Sequence, residues 1–306
     1  MDKFMLDQAE GLRRLLTGSR SRVVAMCSGA AAGNGAGGIG KTSAVVNIAA
    51  ALAALGKDVL VIDERQNALS ASRLFGVPDN GTLATLMSGK RFLEDSVTNT
   101  PFGFALIAAP RDERISHVPA QWRVLLDGPA DIVLIDTQLD RNGELSTLAA
   151  QAHEFVVITR VAPAAITEAY VCIKRLHYAH AIPRFRVIVN HVKNAADASV
   201  AFNNLATVAS RYLAVQLMQA GRVAEDHRVS RAQELSRCAV EAFPATPAAR
   251  DYRQIAAEML HWPMVQSPQT VPVEMPKLGE HSINPGAARR METPVTQLAM
   301  SSSASM

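Results

Sequence analysis

The chain has little cysteine, and what it has is badly spaced for chemistry. Cys27, Cys172 and Cys238 form no CxxC pair in 306 residues. That leaves no framework for disulfides, a zinc site or an iron–sulfur cluster, and points to buried free thiols in a reducing compartment. Long apolar runs are also missing. The longest, AVVNIAAALAALG, falls short of the roughly 18–20 residues that span a bilayer, so no transmembrane helix is expected. The opening MDKFMLDQAE carries acids and no apolar core of leader length, so a secretory signal is not expected either. Lysine and arginine are scattered rather than gathered in runs, and the formal net charge is only +3. No nucleic-acid-binding surface is therefore expected. No internal repeat is found. From Pro263 to Met306 there is no aromatic residue, and Pro, Ser, Thr and Gln dominate. Such a segment cannot bury enough surface to offset its ordering entropy, so residues 263–306 read as a disordered tail.

What is present suits a soluble protein with a sizeable core: 48% hydrophobic and 19% charged residues. Compact apolar runs recur at RVVAMC, DVLVID, FALIAAP, DIVLID, EFVVITR and FRVIVNHV. Amphipathic patterns lie between them, such as VPAQWRVLLDG, AAITEAYVCIKRLHYA and SVAFNNLATVASRYLA, and ARDYRQIAAEMLHW follows. Strands that are apolar throughout, alternating with helices, argue for a doubly wound, mostly parallel α/β sheet covered on both faces. Ahead of it, Met5, Ala9, Leu12 and Leu16 fall on one stripe of a short helix over residues 4–16. The organisation expected is an N-terminal helix and linker (1–21), one α/β domain (22–262) and the tail (263–306).

Gly35 to Thr42, GAGGIGKT, satisfies the phosphate-loop pattern G-x-x-x-x-G-K-S/T. Each part has a physical reason. Glycines let successive backbone N–H groups converge on phosphate oxygens, and the helix beginning near Lys41 presents its positive end there. Lys41 would neutralise phosphate charge, and Thr42 would offer its hydroxyl to Mg²⁺. The motif stands between an apolar strand and a helix that Gly56 should end, which is the context it demands.

With the residues around it, AGGIGKTS, VLVIDERQ and IVLIDT resemble the deviant Walker-A ATPases of MinD/ParA type. AAITEAYVCIKRL, VIVNHV, AVEAFPATPAARDY and the N-terminal DQAEGLRRL resemble one branch, the flagellar number and placement regulators called FlhG or FleN. The similarity runs from about Met5 to Trp262. It implies a P-loop NTPase that binds ATP with Mg²⁺, closes as an ATP-dependent homodimer and regulates flagellar number or assembly. Carried over position by position, it implies nucleotide contacts from Gly37, Gly38, Ile39, Gly40, Lys41, Thr42 and Ser43, with Asn190 reading the base. Thr42, Asp63 and Asp136 would serve the metal. The helix with Asp7, Gln8, Ala9, Leu12 and Arg13 would engage an FlhF-like signal-recognition-type GTPase. A flagellar transcription activator or basal-body protein is a further implied partner. The implied location is cytoplasmic, with peripheral contact at the inner face of the cell membrane left open.

The chain departs from that family at several positions. The trans lysine of K-G-G-x-G-K falls on Ala36. The acid that orients the attacking water falls on Arg65, and a cation cannot accept that water's hydrogen bond. DTQLD replaces the glycine-rich sequence after the Walker-B acid, and a proline beside the base falls on Ala224. Weak or lost hydrolysis follows as an expectation, so no catalytic residue is assigned. Read without the resemblance, Asp63 and Asp136 also admit a role as caps or loop acids, Asn190 as a turn residue and Arg65 as a solvated surface arginine. Two rival functions stay open: a nucleotide-independent adaptor that stimulates the GTPase, and a ParA-like partitioning ATPase, since fold does not fix function.

Overall fold

The computed structural model describes residues 21–29, 38–65, 70–76, 97–111, 126, 128 and 130–263. The N-terminal helix, most of the glycine-rich segment before Gly38, the helical pattern VPAQWRVLLDG except Leu126 and Gly128, and the tail beyond Pro263 lie outside them.

Eight strands form one sheet: β1 (Arg22–Ser28), β2 (Val59–Asp63), β3 (Thr98–Asn99), β4 (Ala105–Ala108), β5 (Ile132–Asp136), β6 (Glu154–Arg160), β7 (Arg184–Val192) and β8 (Gln216–Ala224). Their spatial order is β3-β4-β2-β5-β1-β6-β7-β8. Every pairing is parallel except β3 with β4. The six apolar runs read from sequence are all strands. β3 and β8, at the two edges, are additions the run pattern did not mark.

Seven α-helices are described, α1 (Lys41–Ala54), α2 (Ala71–Leu74), α3 (Pro163–His180), α4 (Ala195–Leu213), α5 (His227–Glu234), α6 (Ala239–Ala242) and α7 (Pro247–Met259), with a 3-10 turn at Ala149–Gln151. Parallel strands need a crossover, and helices provide it. Alternation along each strand then feeds two separate cores. Val23, Ala25 and Cys27 of β1 face a core shared with Ile173 and Leu176 of α3 and Leu205 and Leu213 of α4. Val24 and Met26 face the other, with Val45, Ile48 and Leu52 of α1 and Tyr252, Ile255 and Met259 of α7. Strands apolar on both faces are what a sheet covered on both sides requires. All three cysteines are free and buried.

Helix α1 is Ala- and Val-rich and buried over Lys41 to Leu52. It ends as the sequence indicates: Gly56 takes the left-handed conformation at φ 80° and its N–H returns to the Ala53 carbonyl. Strand order places the start of α1 at the C-terminal end of β1. There β1 lies between β5 on one side and β6 on the other, the topological switch at which open α/β sheets form their ligand crevice.

Candidate functional site

Gly40 precedes α1 with φ 77° and ψ 26°, a left-handed geometry that glycine adopts without strain. No side chain caps the helix and no acid stands in its first turn. The first amides therefore keep their positive end toward the loop, the arrangement that favours an anion. Asn190, at the end of β7, donates from Nδ2 to the Ile39 carbonyl at 2.8 Å and accepts the His191 N–H at 2.9 Å. It braces the turn into α1 from the neighbouring strand. Gly38, Ile39 and Gly40 are within the described residues; Gly37 and Ala36 are not.

Lys41, Thr42 and Ser43 follow, each less than a tenth exposed. The Lys41 ammonium lies 2.7 Å from Asp136 Oδ1 and also donates to the Thr137 carbonyl. The Thr42 hydroxyl donates to Asp136 Oδ2 at 2.6 Å. The sequence pair Lys41–Thr42 and the distant strand-end acid Asp136 are thus one cluster. Ser43 lies on the other side of the turn, its hydroxyl accepting from Gln233 of α5 and its carbonyl from Asn47 Nδ2 at 2.8 Å.

Asp63 ends β2 in register with Asp136 of β5. Burial, and then the charge of Asp136, push its carboxyl above the usual range. It faces another way, however. Oδ2 accepts the Ser72 N–H and hydroxyl, both at 2.8 Å, and Oδ1 accepts the Arg65 N–H at 3.1 Å. Asp63 therefore tethers α2 and the chain leaving β2. Arg65 is half-buried, and its Nη1 donates to Thr42 Oγ1 at 3.1 Å.

Two side chains not singled out from sequence complete the neighbourhood. Glu64 is 1% exposed, and burial raises its pKa against the opposing pull of its hydrogen bonds. It accepts the Gln138 N–H at 3.0 Å and the Ser146 hydroxyl. Arg111 donates to the carbonyls of Gln138 at 3.1 Å and Glu144 at 2.7 Å, and pairs with Asp140 at 3.4 Å. The segment DTQLD, where the family pattern is glycine-rich, is thus held from both sides by a buried acid and an arginine. The signal available in sequence was the acid directly after Asp63 in IDER. No local spacing pairs it with residues 138 and 146.

Mg²⁺ seeks oxygen ligands in near-octahedral order. Beside a nucleotide, waters and phosphate oxygens supply most of that set and the chain only one or two oxygens; as folded, each of the three candidates already has a partner within the chain. Asp63 is turned to Ser72, the Thr42 oxygen already accepts from Arg65, and Asp136 is held by Lys41 and Thr42. Among the described residues, no group of three His, Cys, Asp or Glu could hold a metal ion. The cluster gathers cations and amides at the start of α1, an arrangement that can neutralise and orient an anion such as a phosphate chain.

Fold and cluster together define a P-loop nucleotide-binding domain. The family model for the CobQ/CobB/MinD/ParA nucleotide binding domain matches residues 30–237. The antiactivator FleN of Pseudomonas aeruginosa is 30% identical over 243 residues, covering 77% of this chain and 87% of FleN. The chain belongs to the MinD/ParA family, within its FlhG/FleN-like branch. Among solved structures, the MinD cell division protein of Aquifex aeolicus superposes with a TM-score of 0.60 at 20% identity, over 80% of this chain and all of that one. MinD of Pyrococcus horikoshii OT3, in complex with Mg-ADP, gives 0.57 at 22% identity, over 78% of this chain and 96% of that one. Both likenesses speak to the fold.

Proposed function

We propose that the chain is a nucleotide-dependent regulator of flagellar number, placement or assembly, a MinD-like switch with weak or lost ATP hydrolysis. The cluster of Lys41, Thr42 and Asp136 at an uncapped helix start, beside an arginine where hydrolysis needs an acid, carries the nucleotide part of this reading, and the likeness to FleN supports the flagellar part. ATP, when bound, supplies a polyphosphate that the first amides of α1 and the Lys41 ammonium would hold. Lys41 exchanges its ion pair with Asp136 for phosphate oxygens, and Asn190 keeps the turn in place. Arg65 cannot take a proton from water, so turnover is slow and the bound state persists. The assembled state would be an ATP-dependent homodimer. Its partners would be an FlhF-like GTPase, engaged by Asp7, Gln8, Ala9, Leu12 and Arg13, and a flagellar transcription activator or basal-body protein. The setting would be the cytoplasm, with peripheral contact at the membrane; among the described residues no helix is long and apolar enough to cross one.

Calorimetric titration of ATP into the full chain tests this, with Lys41→Ala as control. Loss of the lysine should weaken binding by at least about tenfold. Equal affinity in both proteins rejects the assigned site.

One observation favours a second reading, a nucleotide-independent adaptor. Lys41 and Thr42 find partners within the chain in Asp136, Thr137 and Arg65, so the cluster needs no nucleotide to satisfy its polar groups. Under this reading, stimulation of the partner GTPase survives Lys41→Ala and is lost on deleting residues 1–18.

A further inference from the structure

We propose that the Arg65 guanidinium is the resident counter-cation of the phosphate site, taking the position of a divalent metal, so that this chain binds a nucleoside triphosphate without Mg²⁺. The inference rests on the nucleotide-binding reading above and goes beyond it.

The hydrogen-bond directions around Thr42 carry the argument. Its hydroxyl proton points to Asp136 Oδ2 at 2.6 Å, so the oxygen's lone pairs face away from Asp136. A metal served by Thr42 would have to use those lone pairs. Arg65 Nη1 is already there, 3.1 Å from the oxygen. The arginine is aimed from its own backbone, because its N–H is fixed to Asp63 Oδ1 at 3.1 Å. Asp63 cannot swing in as a replacement ligand without releasing Ser72, whose N–H and hydroxyl both hold Oδ2 at 2.8 Å.

A second observation points to a ligand. Arg65 Nε is buried and has no hydrogen-bond partner among the described residues. A guanidinium offers a planar fork of donors that matches a phosphate edge. One donor of this fork is spent on Thr42 and a buried one is unspent. An orphaned donor of this kind carries a desolvation cost that an anion placed against it would remove.

Charge supports the same conclusion. Lys41 and Arg65 stand against Asp63 and Asp136, so the cluster is balanced before anything binds. A dication entering beside two fixed cations is opposed by both. A polyphosphate is opposed in turn by the two carboxylates, but Asp136 is engaged by Lys41 and Thr42 and Asp63 by Ser72, whereas the first amides of α1 and the Arg65 fork are donors that only an anion can use. The substitution that removes the water-orienting acid is thereby the one that supplies the missing positive charge.

The test compares ATP affinity in excess Mg²⁺ and in excess EDTA, by calorimetry on the full chain, for wild type, Arg65→Ala and Arg65→Asp. Wild type should bind with dissociation constants within about threefold of each other in the two conditions. Arg65→Ala should lose at least about tenfold in EDTA, and Arg65→Asp should bind only with Mg²⁺, by a margin of about tenfold or more. Arg65→Lys keeps the charge but not the fork, and should fall between wild type and Arg65→Ala. Wild-type binding that needs Mg²⁺ by tenfold, or that ignores Arg65→Ala in EDTA, overturns the inference while leaving the nucleotide site standing. No ATP binding in either condition overturns both.

Discussion

Glu64 and Gln138 join the ends of β2 and β5 through a part-buried hydrogen bond, 3.0 Å from the Gln138 N–H to the carboxylate, beside the Glu64 N–H on the Asp136 carbonyl at 3.2 Å. With the Ser146 hydroxyl on the other oxygen, this acid fixes the loop after Asp136 at both its start and its end. Glu64→Ala should therefore leave two part-buried donors without their acceptor and cost about 1–3 kcal/mol. Urea denaturation measures it. A loss below about 0.5 kcal/mol would mean that Arg111 alone holds the loop.

Gly40 sits where a side chain would strike the brace of its own turn. A Cβ there would lie 2.4 Å from Asn190 Nδ2, on a residue at φ 77°. Gly40→Ala should cost about 2–3 kcal/mol, from the left-handed backbone and the displaced hydrogen bond together. Asn190→Ala removes the obstacle as well as the bond, so the double variant should be less destabilised than the sum of the two single ones. Strict additivity in a double-mutant cycle would show that the clash does not occur.

Two helices end on alanines in a conformation meant for glycine. Ala181 closes α3 at φ 52° and Ala214 closes α4 at φ 53°. Ala214→Gly removes a Cβ penalty larger than the chain entropy it adds, and should stabilise by about 0.5–1 kcal/mol. Ala181→Gly should do the same, and thermal melting reports both. Lower melting temperatures would contradict the left-handed ends.

Burial pushes the Cys27 thiol up to about 11 and raises Cys172 and Cys238 as well. The thiolate is the reactive form. At pH 8 iodoacetamide should leave all three cysteines untouched in the native chain and label them promptly in 6 M guanidine, about the strength that unfolds even very stable domains. Because the unfolded thiols ionise first, stability from this source is complete below pH 9 and falls as pH rises from the model-peptide value of 9.0 toward 11. Rapid native labelling would show that the core around β1 opens.

The sheet was legible where its strands are buried on both sides. β1, β2, β4, β5, β6 and β7 lie inside the sheet and read as unbroken apolar runs. β8 does not, because Gln216, Gln219 and Arg222 interrupt it and it pairs on one side only, with β7. β3, two residues long, carries no period at all. The site divides in the same way. Lys41, Thr42 and Asp136 were legible because a contiguous motif and a strand end announce them. Glu64 and Arg111 were not, since their partners lie across a long-range loop that leaves no local spacing. Arg65 read most simply as a solvated arginine, and only the aim of its side chain at Thr42 distinguishes it.

The crevice at the end of β1 owes its shape to strand order. Val24, Met26, Val45 and Ile48 belong to the apolar core packed against α1, separate from the polar cluster of Lys41, Thr42 and Asp136. Reactive side chains can thus be exchanged at the rim without the scaffold registering the change. A lineage on this fold is free to convert a hydrolase into a latch by substitutions at its mouth. What it must preserve is glycine at position 40 and a hydrogen-bonding residue at 190, since those hold the turn into α1.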